Sequence, residues 1–309
     1  MRATNVVNPN RLKVGDKVRL ISPASTPDPD SVASAAKYLE SLGLHVQVGR
    51  HALDRFGLFA GTDEARLADL DDALRDPETR AIIATRGGRG AYRIADGLDF
   101  EAARRDPKLL VGFSEITILH MALLRHGGIA GVHGAAWDDG FDRSSAESFR
   151  NALFRSDAVT LRSEEDEPTA ALSIEGTATG LLIGGNQDML ATASGWMLPE
   201  LDGAILLLEA VGLPRGQLDR QLTMLRKSGA LSGIVGVAVG QYTDCGRMGG
   251  TDGNWGCLDI LRDQLGRLDV PVLGGLRIGH GSRPLAVPIG TRAIMNASAG
   301  TLEVEAAVR

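Results

Sequence analysis

Short apolar runs alternate with amphipathic stretches along the first half of the chain, and this alternation sets the expected fold. VRLIS, from Val18 to Ser22, has the composition of a buried strand. After the turn-rich SPASTPDPD, the spacing predicts a helix from Ser31 to Leu42, with Gly43 at a left-handed cap position. HVQVG then resumes as strand. A second helix starts at Thr62, whose hydroxyl suits the N-cap, while Asp63 and Glu64 suit its positive end and Leu67, Leu70 and Leu74 recur on one face. AIIAT (Ala81 to Thr85) is a further strand that leads into the turn Arg86-Gly87-Gly88-Arg89-Gly90, and LLVGF (Leu109 to Phe113) leads into Ser114 and a helix reaching about Arg125, with Gly127 beyond it. Strands that alternate with helices predict a parallel sheet, and ligands of such sheets sit at the carboxyl edge, where these two loops lie.

The pattern changes after about Asn151. RSEEDEPTAA is acidic, polar and broken by proline, as expected of a linker or exposed hairpin, and it places a boundary near 160. The expected organisation is α/β: residues 1–160 form an N-terminal parallel-sheet domain, and residues 161–309 form a smaller α+β domain. The second half carries the strand-like runs ILLLEA, GIVGVAVG, PVLGG, RAIMN and TLEVEAA and few intervening helices. Its one clear helix is Gln217 to Lys227, with Leu218, Leu222 and Leu225 on one face.

Composition narrows the class of partner. With 309 residues and 43% hydrophobic content the chain can bury a core in each half. A formal net charge of -6 argues against a broad basic surface for nucleic acid or anionic lipid, so the expected partner is a small molecule or peptide. The opening MRATNVVNPNRLKVGDKVRLIS lacks the apolar core of a signal peptide, and no stretch reaches the roughly 18 apolar residues of a membrane span; the expectation is a cytoplasmic protein. Cys245 and Cys257 have no second pair with which to hold zinc and are expected to be free thiols. The histidines show no metal-binding spacing, and no metal or cofactor is expected.

Three residues draw attention for chemistry. Ser114 follows a strand and opens a helix, where a sharp turn exposes a hydroxyl and free helix N–H groups face the same space, although a serine there is more commonly an N-cap. Glu209 ends the apolar run Ile205-Leu206-Leu207-Leu208, where a buried carboxylate needs a partner and an exposed one does not. His280 lies between Gly279 and Gly281, which permit tight turns and close approach; His133, at the end of another possible strand, competes with it as a base. The glycines at 87, 88 and 90 belong to no phosphate-loop or dinucleotide motif.

Taken in order, LISPAS (20–25), FAGTD (59–63), RGGRG (86–90), GFSEIT (112–117) with His120, GGN (184–186), Leu208-Glu209, LDRQL (218–222) and Gly279-His280 resemble the L,D-carboxypeptidase family of serine peptidases, which also contains the microcin C immunity peptidases. The resemblance covers nearly the whole chain. It implies a flavodoxin- or glutamine-amidotransferase-like first domain, and a catalytic triad in which Ser114 is the nucleophile, His280 its base and Glu209 the group that orients the imidazole. It also implies oxyanion donors at the N–H groups of Glu115 and Gly88, a site at the interface of the two domains, and a homodimer. Arg89 stands where the family often has an aromatic, and Glu115 where it usually has aspartate. Arg86, Arg89 and Trp196 are candidate substrate contacts.

The implied reaction is hydrolysis of the L,D-amide bond that releases terminal D-alanine from a murein tetrapeptide in wall recycling. One alternative is an immunity-type peptidase that cleaves aminoacyl-nucleotide toxins, for which an aromatic such as Trp196 would stack on the base. A second, of another class, is a binding protein that closes on a small ligand without turning it over. A glutamine amidotransferase is disfavoured, because neither cysteine follows a strand-to-helix turn.

Overall fold

The computed structural model describes residues 6–135, 142–251 and 253–309. Five parallel strands, β1 (Lys17–Ile21), β2 (His45–Val48), β3 (Thr79–Ala84), β4 (Leu109–Val111) and β5 (Gly131–His133), form the first sheet. They are linked by α1 (Pro29–Ser41), α2 (Asp63–Arg75), α3 (Phe100–Arg105) and α4 (Thr117–Gly127), and α5 (Arg143–Phe154) follows. Local chemistry sets the helix ends. Asp28 accepts the Ser31 N–H at 3.1 Å with Pro29 in the first turn of α1, and Thr62 accepts the Ala65 N–H at 3.2 Å to start α2. Gly43 adopts the expected left-handed conformation, whereas α4 is closed by Gly128, one residue later than the sequence suggests.

The second sheet begins with β6 (Val159–Arg162), β7 (Thr177–Asn186), β8 (Ile205–Val211), β9 (Gly236–Thr243) and β10 (Val272–Leu273). Between them run α6 (Gln187–Ala193), α7 (Arg215–Lys227) and α8 (Cys257–Gly266). The chain then forms β11 (Val287–Ile289), β12 (Arg292–Asn296) and β13 (Thr301–Val304). The sheet order is β10-β9-β8-β7-β12-β13-β6, with β7 to β10 parallel and β12, β13 and β6 antiparallel.

Two features differ from the sequence-based expectation. The second half carries three crossover helices rather than one, so one side of its sheet is built as parallel α/β; α6 is too short to announce itself by periodicity. In addition, β11 leaves the second half and pairs antiparallel with β5 at the edge of the first sheet.

Helix α4 lies between the two sheets. Every residue from Thr117 to Leu124 is buried, as a helix covered on all sides requires. Ile118, Leu119 and Met121 share one apolar cluster with Ile82 and Leu110 of the first sheet and with Ile183, Leu206 and Leu208 of the second. Thr117 Oγ1 accepts the Asn186 N–H at 3.0 Å, tying the start of α4 to the end of β7. The carboxyl ends of β3, β4, β7 and β8 are thereby brought to one place.

Candidate active site

Ser114 sits where β4 is spent and α4 has not begun. Phe113 is extended and Ser114 has φ +62°, a left-handed conformation that costs a non-glycine residue of the order of 1 kcal/mol. Residues Ser114–Ile116 form a single 3₁₀ turn that hands over to α4, and no side chain caps either helical segment. The serine is therefore not spent as an N-cap. Its neighbour Gly112 is packed so closely that a β-carbon there would lie 3.0 Å from Ala84 Cβ and from both γ-carbons of Ile116, which explains how a chain reversal this tight fits under the sheet.

Glu209 belongs to β8, and its side chain is fully buried. The β8–β9 register shifts between Leu208 and Ala210, a bulge that re-aims the intervening carboxylate. Its Oε2 accepts from His280 Nδ1 at 2.7 Å and its Oε1 from Asn186 Nδ2 at 3.0 Å. With Nδ1–H committed to the carboxylate, the lone pair of His280 is carried by Nε2. Gly279 has φ +131°, and a β-carbon there would stand 2.9 Å from Glu209 Oε2, so only glycine lets the loop come this close. Gln241 holds the far side of the loop: its Oε1 accepts the Gly281 N–H at 2.9 Å, and its Nε2 donates to Ser282 O at 3.1 Å and to Glu167 Oε1 at 2.7 Å.

Ser114 and His280 open onto one cavity of about 510 Å³, which Arg86, Gly87, Gly88 and Phe113 also line. The Phe113 and His280 rings are 4.7 Å apart, so the imidazole rests on the residue that precedes the serine. No hydrogen bond joins Ser114 Oγ to His280 among the described residues. In a resting site such bonds are often long, and they shorten when substrate binds.

The turn at 86–90 lies against the serine. A β-carbon on Gly87 would be 2.8 Å from Ser114 Cβ and 3.2 Å from the Glu115 nitrogen, and Gly88 has φ +113°. Ser25 Oγ accepts the Arg89 N–H at 3.0 Å and fixes this turn from outside. Arg86 lines the cavity with its Nη1 directed at Thr26 O, 3.4 Å away. Arg89 is exposed and is not among the lining residues. Trp196 is not among them either: it follows α6, and its Nε1 donates to Thr192 O.

The competing histidine is sealed. His133 is fully buried, neither ring nitrogen has a hydrogen-bond partner, and Nε2 stands 3.9 Å from Glu209 Oε1. Burial holds its pKa down at about 4, against the partial pull of Glu209. It is neutral behind the carboxylate and does not line the cavity, whereas His280 does.

Asn186, Gln241, Ser25 and the Glu115 side chain are site residues that composition and spacing did not single out. Asn186 alone carried a signal, as a polar residue ending a glycine-rich strand. Both cysteines are free and buried, and burial pushes the Cys257 thiol up to about 12, far from a working nucleophile.

Comparison with known proteins places this geometry. Residues 18–134 match the LD-carboxypeptidase N-terminal domain and residues 179–295 the LD-carboxypeptidase C-terminal domain. The chain is 36% identical over 306 residues to a probable murein peptide carboxypeptidase of Bacillus subtilis, covering 97% of this chain and 95% of the relative. The structure of a muramoyltetrapeptide carboxypeptidase from Oxalobacter formigenes superposes with a TM-score of 0.83 at 26% identity, over 95% of this chain and 100% of that one. An MccF-like protein from Bacillus anthracis shares the fold with a TM-score of 0.85 at 23% identity, over 97% of this chain and 100% of that one. The chain therefore belongs to the LD-carboxypeptidase family of serine peptidases.

Proposed function

We propose that this chain is a serine carboxypeptidase that hydrolyses the L,D-amide bond at the carboxyl end of murein tetrapeptides, with Ser114, His280 and Glu209 as its triad. The observation that carries the reading is the 2.7 Å bond from His280 Nδ1 to a fully buried Glu209, on the wall of the cavity that also receives Ser114. The relatives named as murein peptide and muramoyltetrapeptide carboxypeptidases supply the substrate class.

In this reading Ser114 Oγ attacks the scissile carbonyl while His280 Nε2 takes its proton, and Glu209 stabilises the resulting imidazolium. The negative oxygen of the tetrahedral intermediate is met by the N–H groups of Glu115 and Gly88. The carbon–nitrogen bond then breaks, His280 returns the proton to the departing amine of D-alanine, and an acyl ester on Ser114 remains. Water attacks the ester, again giving its proton to His280, which passes it to Ser114 as the shortened peptide leaves. Arg86, the cation on the cavity wall, is the residue suited to a terminal carboxylate.

The aminoacyl-nucleotide alternative uses the same triad, but its stacking candidate Trp196 is not among the described lining residues, where Phe113 is the one phenyl or indole ring. A buried carboxylate that orients a histidine on a cavity wall favours catalysis over mere binding. Division into domains 1–160 and 161–309, a cytoplasmic location and a homodimer accompany the proposal as expectations from sequence and family resemblance. No helix among the described residues is long and apolar enough to cross a membrane.

The test is release of D-alanine from purified murein tetrapeptide by the wild type and Ser114→Ala, beside an aminoacyl-adenylate analogue. Release by the wild type, lost in the variant, is expected. Cleavage of the adenylate alone overturns the substrate class, and an active Ser114→Ala overturns the nucleophile.

A further inference from the structure

A buried carboxylate lies beneath the glycine turn, and the triad chemistry leaves it without a task. Glu115 is 4% exposed, and its Oε1 accepts the N–H groups of Gly90 at 2.8 Å and Ala91 at 3.2 Å. From the other side Arg66, also buried, donates through Nη1 to Gly90 O at 2.7 Å and to Pro23 O at 2.9 Å. Gly90 is thus gripped at both its N–H and its C=O. Gly87, at the start of the same turn, lies against Ser114 and the Glu115 nitrogen. One residue therefore reaches both halves of the proposed oxyanion site, with its own N–H next to the serine and its side chain on the turn that carries Gly88.

We infer that the Glu115 carboxylate is a positioning residue, which sets the turn against Ser114 so that the N–H groups of Gly88 and Glu115 converge on one oxygen. This rests on the reading of Ser114 as nucleophile. A charged acceptor holds two N–H groups more firmly than a neutral one, and a small displacement of an oxyanion donor carries a large kinetic cost.

The charge has a price in stability, which makes the role measurable. Burial raises the Glu115 carboxyl to about 7, with Asp188 of α6 adding to the rise and the N–H bonds from residues 90 to 92 opposing it. The charged groups facing it are Asp188 and, from α2, Arg66, which is itself paired with Asp63; Arg93 of the 91–93 turn also pairs with Asp63. A carboxyl raised in the folded state binds its proton more tightly there than in the unfolded chain. Folding stability then falls as pH climbs from about 4.5 to about 7, and a neutral amide escapes that loss. Were Glu115 only a structural plug, Glu115→Gln would leave catalysis alone or lower it in step with stability.

The experiment measures kcat and KM for D-alanine release from pH 5 to 9, with thermal midpoints, for the wild type, Glu115→Gln, Glu115→Asp and Ser114→Ala. Ser114→Ala is expected to be inactive throughout. Glu115→Gln is expected to keep a midpoint at pH 8 no lower than the wild type while kcat falls about tenfold to a hundredfold with KM little changed, and its acid limb is expected to lose the Glu115 contribution and keep only that of the general base. Glu115→Asp, which keeps a carboxylate, is expected to recover part of kcat with the limb displaced. A Glu115→Gln enzyme with wild-type kcat and pH profile overturns the inference, as does a loss of activity that only follows a loss of stability. Should that variant fail to fold, a Glu115→Asp enzyme with both wild-type kcat and an unmoved acid limb overturns it. An active Ser114→Ala removes the underlying reading instead.

Discussion

Glu209 Oε2 and His280 Nδ1 lie 2.7 Å apart, with no part of the glutamate side chain in contact with solvent. A carboxylate in that position is costly unless its oxygens are satisfied, and here one oxygen is met by the imidazole and the other by Asn186. The pair fixes both the tautomer and the orientation of the ring. Glu209→Gln is therefore expected to reduce kcat by about 10³-fold or more with a much smaller change in KM, measured by steady-state D-alanine release.

Asn186 supports the pair from behind. Its Nδ2 donates to Glu209 Oε1, and its Oδ1 accepts the Asp188 N–H at 3.2 Å as the N-cap of α6. Asn186→Ser keeps a capping oxygen but replaces the Nδ2 donor with a shorter hydroxyl that falls short of Glu209, and kcat is expected to fall by about tenfold or more, the worth of a hydrogen bond to a charged group. Asn186→Asp sets a second carboxylate against Glu209 and is expected to be worse. Retention of full kcat in both variants would show that Glu209 needs no second donor.

The strained backbone at Ser114 makes activity and stability separable. Ser114→Gly removes the hydroxyl and relieves the left-handed penalty at φ +62°. The variant is expected to be inactive yet more stable by about 1 kcal/mol in urea unfolding. A less stable Ser114→Gly would mean that the serine hydroxyl contributes to the fold.

Burial of His133 gives stability a pH dependence of known sign. Its folded pKa of about 4 lies below the ordinary histidine value, so the unfolded chain takes up the proton first as pH falls. The contribution is present above about pH 6.5 and is lost towards pH 4; His120, held down at about 3 by burial, acts in the same direction. Glu115 acts in the opposite sense between about pH 4.5 and 7, so the measurement must be a difference. Comparing urea unfolding of the wild type and His133→Phe, the drop in stability from pH 7.5 to pH 5 is expected to be smaller in the variant by about 2 kcal/mol. An identical drop in both would show that His133 does not titrate as its burial requires.

What could be read from the sequence is what local chemistry controls. The period of apolar residues marked the parallel strands of the first half, and Thr62 and Gly43 performed the capping that their residue types suggest. Ser114 at a strand-to-helix junction and Glu209 at the end of an apolar run were visible as positions, but as roles only through the family resemblance. Tertiary structure decided the rest, because the contacts involved join residues far apart in the chain. It carried β11 back to the first sheet, buried α4 between two sheets, and bulged β8 so that Glu209 faces His280. It also set apart two histidines that look alike in sequence, sealing His133 behind the carboxylate and turning His280 to the cavity. Among the candidate substrate contacts it kept Arg86 on the cavity wall and left Arg89 and Trp196 off it. No periodicity announces such pairings, since burial and approach distance follow from the packing of the two sheets around α4.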